Sequence, residues 1–179
     1  MSNTGQTFLT LAALMALSAL TFNANRMILY SFQDQLLTKR YVAAMVQGTS
    51  LLEEIQTKAF DQVVAGKDPN GKAVGYKANK ISDLTDPTQL RPETGEKYPY
   101  NDVDDYNGYK RKAWVPLFSD SLSLSATVTY VTTSNPSQVS SVRTALKKVT
   151  VTVLATEKMA EKSKPDTLVL LKFGQVVYL

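Results

Sequence analysis

The chain has 179 residues, the length of one domain or of one domain with an appended element. Its formal net charge is only +4, and no long run of like charges occurs, so the sequence predicts no nucleic-acid partner. Because the chain contains neither cysteine nor histidine, thiol chemistry, disulfide bonds and a histidine general base are excluded, and a zinc site is disfavoured.

The first predicted element is an apolar helix over residues 1–30. No charged side chain occurs before Arg26, and the apolar run over residues 7–22 is interrupted only by hydroxyl residues. Such hydroxyls bond back to helix carbonyls, so they are compatible with burial in lipid or protein. The segment is therefore predicted to be buried in a membrane or against other apolar surfaces. Its large apolar side chains include Phe8, Leu9, Leu11, Leu14, Leu17, Leu20 and Phe22.

A cleaved secretory signal peptide is the alternative interpretation of this segment. Such signals begin with basic residues and end at a cleavage site of small residues. Residues 1–6 contain no Lys or Arg, and Ala19 with Thr21 makes only a weak cleavage site. The helical pattern also continues past this point, which favours a retained segment.

An amphipathic helix is predicted over residues 31–65. Apolar residues recur at steps of three to five, and no proline occurs before Pro69. Gly66 then predicts a helix end. We expect one helix over about residues 5–65 that packs on a sheet, rather than a membrane anchor followed by a coiled coil. Its predicted packing residues are Leu36, Tyr41, Met45, Leu52 and Ile55.

A long loop over residues 66–112 and an antiparallel sheet over residues 113–179 complete the predicted head, residues 31–179. The loop is rich in proline, glycine and polar residues. Three alternating segments predict strands at Leu122–Thr132, Leu146–Thr156 and Thr167–Phe173, with a bulge after the last at Gly174. The fold class is therefore α+β, with the helix packed on the sheet. The predicted sheet contacts are Val149, Val151, Val153, Leu168 and Leu170.

An acidic cluster in the loop, within "NDVDDYNGYK", has two interpretations. Its oxygen donors suit calcium, which gives the candidate metal ligands Asp102, Asp104, Asp105 and Asn107. The spacing does not fit the EF-hand pattern, because Tyr106 stands where a ligand belongs. The other interpretation is a set of Asx-turns whose carboxylates pair with the basic residues 110–112. Both interpretations stay open, and no other cofactor is predicted.

No catalytic function is predicted. The sequence contains no phosphate-binding glycine loop, no nucleophile elbow and no metalloprotease motif. The loop is instead rich in aromatic residues, which form either an adhesive surface or a packed layer between the loop and the sheet. These residues are Tyr98, Tyr100, Tyr106, Tyr109 and Trp114.

The order of these elements resembles a type IV pilin or pseudopilin. Three segments are similar to parts of minor pilins of the mannose-sensitive haemagglutinin type: "DVDDYNGY", "ATVTYV" and "LKKVTVTVLAT". The resemblance covers nearly the whole chain. It implies a structural subunit that associates with itself and with other pilin-like subunits into a helical filament. It also implies that the large apolar side chains of residues 8–22, named above, form the filament core. It also implies an inner-membrane location before assembly and a cell-surface or extracellular location afterwards.

The resemblance further implies a processing site between Gly5 and Gln6. Prepilins resemble one another at a basic leader, this Gly, and a Glu five places after it. Here the residues before Gly5 include no basic one, and Thr10 stands at the Glu position. The alternative function is a monomeric membrane-anchored envelope protein that binds a partner or a glycan through the loop. A secreted binding domain, released by cleavage near Thr21, is a third.

Overall fold

The computed structural model describes residues 3–66, 80–116, 120–157 and 166–178. A long N-terminal helix is followed by a four-stranded antiparallel sheet, so the predicted α+β fold class is confirmed. The chain divides into two compact units, Met1–Val42 and Ala43–Leu179. The second unit, called the head below, contains the end of the helix, the loop and the sheet.

Helix α1 spans Asn3–Gln56 and is followed by a short helix α2, Gln62–Ala65. The prediction of one uninterrupted helix to residue 65 was therefore wrong. Asp61 begins α2 as its N-cap, with its carboxylate accepting a hydrogen bond from the Val63 backbone N–H. Gly66 ends α2 in the left-handed conformation at φ 66°, which confirms it as a helix stop.

The chain leaves α1 because its next residues pair with the loop. The Ala59 backbone N–H donates to the Asn101 carbonyl at 3.3 Å, and the Val103 N–H donates to the Ala59 carbonyl at 2.9 Å. This bridge satisfies backbone groups that a continuing helix would use internally. It also places residues 101–103 of the loop against the end of α1.

The sheet has the order β1-β2-β3-β4, and all neighbouring strands are antiparallel. Three strands were predicted, but a fourth, β1, precedes them. The register shift lies between Val153 and Leu154 of β3, and β4 continues through Gly174, so the predicted bulge position was wrong. The strands are β1, Lys110–Val115; β2, Asp120–Tyr130; β3, Leu146–Glu157; and β4, Asp166–Tyr178.

The core of the head lies between the end of α1 and the sheet. Val149, Val151 and Val153 are fully buried, as predicted. So is Ile55, while Leu52 is half-buried. The buried helix face repeats at helical spacing through Ala44, Gly48, Leu51 and Ile55.

Two of the predicted helix contacts were wrong. Met45 is 52% exposed because it follows the buried Ala44 and so points away from the buried face. Tyr41 is 44% exposed. Leu36 is half-buried, and its contact with the sheet stays a prediction. The sequence prediction favoured large apolar residues, whereas small ones occupy the start of the buried face. The side chains of Leu168 and Leu170 lie outside those that the structure describes.

Candidate functional site

The seven apolar side chains predicted to form a filament core all lie on the surface of α1. Each is 53–76% exposed, and at helical spacing they point in every direction around the axis. The hydroxyls among them bond to carbonyl oxygens one turn back, at 2.9 Å for Thr10, 2.8 Å for Ser18 and 2.8 Å for Thr21. This part of α1 is therefore an apolar rod whose polar groups are satisfied internally.

Among the described residues, α1 alone is long and apolar enough to cross a membrane, judged by length and composition. The predicted processing site, Gly5 and Gln6, lies exposed near the start of this helix. A Cβ at Gly5 would meet nothing within 4 Å. The surface around the site is thus open, and cleavage there stays a prediction.

The acidic cluster of the loop folds as a buried turn. Asp102 Oδ1 accepts hydrogen bonds from the backbone N–H groups of Asp104, at 2.7 Å, and Asp105, at 3.4 Å. Asp105 Oδ2 in return accepts from the Asp102 N–H at 3.2 Å. These are the side-chain-to-backbone bonds of an Asx-turn, as one interpretation of the sequence expected. All three side chains are at most 1% exposed, whereas an Asx-turn usually lies on the surface.

Asn107 connects this turn to the rest of the head. Its amide nitrogen donates to the Leu90 carbonyl at 2.8 Å, and its amide oxygen accepts from the Val128 backbone N–H at 3.0 Å. Both ends of the side chain are therefore engaged. The structure places Asn107 as a link between the loop and β2.

A buried lysine supplies a cation to part of the acidic cluster. Lys147, on β3, is 0% exposed, and its ammonium lies 2.8 Å from Asp61 Oδ2 and 2.6 Å from Asp104 Oδ1. It also donates to the Phe60 carbonyl at 2.7 Å and lies 5.0 Å from the centre of the Tyr130 ring. We call Lys147, Asp61 and Asp104 the lysine cluster. The predicted pairing with residues 110–112 was wrong, since Lys110 and Lys112 are exposed and Arg111 pairs with Glu54 at 3.4 Å.

The lysine cluster joins distant parts of the chain. Asp61 also accepts from the Thr85 backbone N–H at 2.9 Å and the Thr85 hydroxyl at 3.0 Å. The Tyr130 hydroxyl donates to the Thr85 carbonyl at 2.9 Å. The start of α2, the loop, β2 and β3 thus meet at one buried ion pair.

The carboxylates differ in how well this cation stabilises them. Burial alone would raise the pKa of Asp61, but the charge and hydrogen bond of Lys147 lower it below the usual value. For Asp104, burial outweighs Lys147 and raises the pKa to about 7. Burial and the neighbouring Asp104 charge raise the pKa of Asp102 to about 8. The buried turn therefore carries more carboxylates than Lys147 neutralises.

A second group of carboxylates faces Asp105 from the loop. One carboxylate oxygen each of Glu93, Glu96 and Asp105 lies within 4.8 Å of the other two. We call these residues the tri-carboxylate cluster. Burial raises the pKa of Asp105, and Asp102 and Glu96 add to the rise; burial and Glu96 raise that of Glu93. Such crowding of like charges is a property of cation sites and of carboxyl groups that share protons.

Sequence reasoning missed Lys147, Glu93 and Glu96. A signal for Lys147 exists, because it has the same strand parity as Val149 and Val151 and so lies on the apolar face. A lysine on that face needs buried acidic partners. Glu93 and Glu96 carry no such signal, since only the fold of the loop brings them to Asp105.

The tyrosines of the loop pack on one another, and three of them also contact the core of the head: Tyr106 belongs to it, and Tyr100 and Tyr109 pack against it. The Tyr100 and Tyr106 ring centres are 5.2 Å apart, and those of Tyr98 and Tyr109 are 5.9 Å apart. Tyr106 is fully buried and its hydroxyl donates to Glu54 on α1 at 2.8 Å, so the layer helps to fix the loop. Trp114 is 61% exposed on β1.

No protein-family model matches this chain, and no curated protein or solved structure matches it either. The described architecture, a long apolar N-terminal helix followed by an antiparallel sheet, is compatible with a pilin-like fold.

Proposed function

We propose that the protein is a structural subunit of a type IV pilus-like filament or of a secretion pseudopilus. The observation that supports this most is the apolar surface of α1 over residues 8–22, which is exposed on all sides. An apolar surface of this extent requires lipid or other apolar surfaces around it. Parallel copies of the same helix would supply them in a filament.

The head supports the same proposal. The end of α1 packs its face of Ala44, Gly48, Leu51 and Ile55 against the core of the head, so one helix carries both the apolar rod and the packed face. This arrangement is compatible with the pilin-like fold that the sequence resemblance implies. The protein would act by assembly, without a catalytic site.

In the proposed mechanism, lipid surrounds residues 7–29 of α1 in the inner membrane before assembly. Neighbouring subunits then replace the lipid, and their helices bury this segment as the filament core. The heads form the outer coat at the cell surface. Because the Thr and Ser hydroxyls bond within the helix, the same segment suits lipid and protein surroundings equally.

A monomeric membrane-anchored envelope protein is the second candidate. The exposed Trp114, with the half-exposed Tyr98, gives this proposal an aromatic surface on the head. In that case α1 would stay in lipid, whereas a filament subunit would leave it. The surroundings of the helix therefore distinguish the two functions.

The first test is mass spectrometry of the N-terminus on material sheared from cells. We expect a chain that begins at Gln6, or that is intact from Met1, in the pelletable extracellular fraction. A chain beginning near Phe22, or the absence of the protein outside the membrane, would contradict a filament subunit.

A cross-linking experiment tests the packing directly, because the chain contains no cysteine. Leu17→Cys introduces one thiol on the apolar rod, and Thr88→Cys introduces one on the exposed head surface as a control. With a bifunctional maleimide, we expect sheared material of Leu17→Cys to give multimers. A Leu17→Cys protein that stays monomeric and in the membrane fraction supports the anchored protein instead.

A further inference from the structure

We propose that the tri-carboxylate cluster binds a calcium ion that joins two turns of the loop. The site consists of Glu93, Glu96 and Asp105, and it goes beyond the proposed assembly function. Of the ligands that the sequence predicted, only Asp105 belongs to it. The first supporting observation is the approach of the three carboxylate oxygens to within 4.8 Å of one another. Two oxygens that share a calcium ion at about 2.3–2.6 Å each are at most about 5 Å apart, so the geometry fits.

The second observation is that each of the three carboxylates has one buried oxygen without a hydrogen-bond partner among the described residues. These oxygens are Asp105 Oδ1, Glu93 Oε2 and Glu96 Oε2. Asp105 is itself 0% exposed, so solvent does not satisfy its oxygen. A buried carboxylate oxygen without a donor is costly, and a cation is a ligand that binds several such oxygens at once.

No described cation is paired with this cluster. Within the described part of the chain, none of the three carboxylates forms an ion pair. Lys147 forms its ion pairs with Asp61 and Asp104, and Arg111 forms its ion pair with Glu54. Among the described residues nothing balances the negative charge of the cluster, and the proposed ion would do so.

The donor set favours calcium among common metals. All three side chains offer oxygen, and the chain has no cysteine or histidine to favour zinc. Calcium accepts six to eight oxygens in flexible geometry, so carbonyls and water complete its shell, whereas magnesium demands a strict octahedron. Glu93 and Glu96 are only half-buried, which gives the ion access from solvent.

The ion would connect two separate turns. Glu93 and Glu96 lie in one turn, closed by a hydrogen bond from the Glu96 N–H to the Glu93 carbonyl at 3.0 Å, with Gly95 at φ 90°. Asp105 lies in the 3₁₀ turn Asp104–Tyr106, next to Asn107 and its bond to β2. Calcium would therefore stiffen the loop that rests on the sheet and raise the stability of the head.

The test uses the full chain in detergent micelles, with the tyrosine near-ultraviolet circular dichroism followed during heating. The protein is first treated with EDTA and then measured in EDTA or in calcium chloride. When free calcium is about 100 times its dissociation constant, we expect the melting temperature to rise by about 5–10 °C. Glu96→Gln should lose most of this rise, while Glu53→Gln, on the exposed face of α1, should keep it.

The measurement in EDTA separates an ion ligand from a purely structural residue. Without calcium, Glu96→Gln should melt at or above the temperature of the unchanged protein, because it relieves repulsion between carboxylates. A structural role would instead lower the melting temperature in EDTA. The proposal is overturned if calcium gives no rise, if Glu93→Gln and Glu96→Gln both keep the full rise, or if magnesium chloride gives an equal one.

Discussion

The lysine cluster and the tri-carboxylate cluster both bring carboxylates together in the head, but they differ in how that negative charge is balanced. Both contain buried carboxylates, although Glu93 and Glu96 of the second are only half-buried. In the first, Lys147 lies 2.8 Å from Asp61 and 2.6 Å from Asp104, so the cation is part of the chain. In the second, Glu93, Glu96 and Asp105 face one another with no ion pair among the described residues. The cation of the first cluster is therefore part of the chain, whereas the proposal above assigns an external ion to the second.

This difference predicts how each cluster responds to change. Removing the built-in cation leaves buried charges without a partner, which is among the most costly changes in a protein. Removing one carboxylate from the other cluster relieves repulsion instead. The largest loss of stability is expected when a carboxylate is introduced into the apolar core, away from both Lys147 and the proposed ion.

Val151→Asp should have the largest effect. Val151 is 0% exposed in the core of the head, and the described residues of that core are apolar, so none of them would pair with a new carboxylate. We expect a cost above about 4 kcal/mol and loss of the cooperative melting transition of the head, measured by near-ultraviolet circular dichroism. Val142→Asp, at a 66% exposed position, is the control and should change stability by less than about 0.5 kcal/mol. Normal melting of Val151→Asp would show that the core is not packed as described.

Lys147→Met should have the next largest effect. It keeps an apolar stem of similar length but leaves Asp61 and Asp104 buried without their cation. We expect a loss of about 3–5 kcal/mol in the free energy of unfolding, measured by urea titration in micelles. Lys112→Met removes an exposed lysine from β1 and should cost less than about 0.5 kcal/mol. Equal effects of the two substitutions would mean that the lysine cluster does not stabilise the head.

The parts of the fold that could be predicted are those with a strong periodic pattern. The alternation in β2 and β3 predicted both strands and the burial of Val149, Val151 and Val153. β1 was missed because "KRKAWV" carries three charges in six residues, which composition assigns to a loop. Its partner β2 is what makes it a strand, through the pairing of Lys112 with Ser123 and its neighbours.

The candidate sites were harder to predict because they depend on tertiary contacts. The sequence around Asp102 and Asp105 left a cation site and a set of Asx-turns open as alternatives, and it could not show which carboxylate would meet which partner. Lys147 reaches Asp104 only because β3 lies beside the loop, and Glu93 reaches Asp105 only because two turns face each other. Pairing across such distances is not encoded in local spacing.

Asn107→Ala should have an intermediate effect, and it tests the ligand set that the sequence predicted. It removes the bonds to the Leu90 carbonyl and to the Val128 N–H, so both backbone groups lose a partner. We expect a loss of about 1–3 kcal/mol, measured by urea titration, that is the same in EDTA and in calcium chloride. Gln89→Ala, at an exposed position, serves as the control. A loss seen only in calcium would instead identify Asn107 as a ligand of the ion.

Tyr106→Phe should have the smallest effect, because it removes one hydroxyl and no charge. The Tyr106 hydroxyl donates to Glu54 Oε1 at 2.8 Å, and Arg111 lies 3.4 Å from the other oxygen of the same carboxylate. Since Arg111 still neutralises Glu54, the substitution leaves a paired charge, unlike Lys147→Met. We expect a loss of about 0.5–1.5 kcal/mol by urea titration. Tyr98→Phe, at a 51% exposed position, should cost less, because water replaces the bond of an exposed hydroxyl. If Tyr106→Phe cost as much as Lys147→Met, the hydroxyl rather than the built-in cation would anchor the loop to the rest of the head.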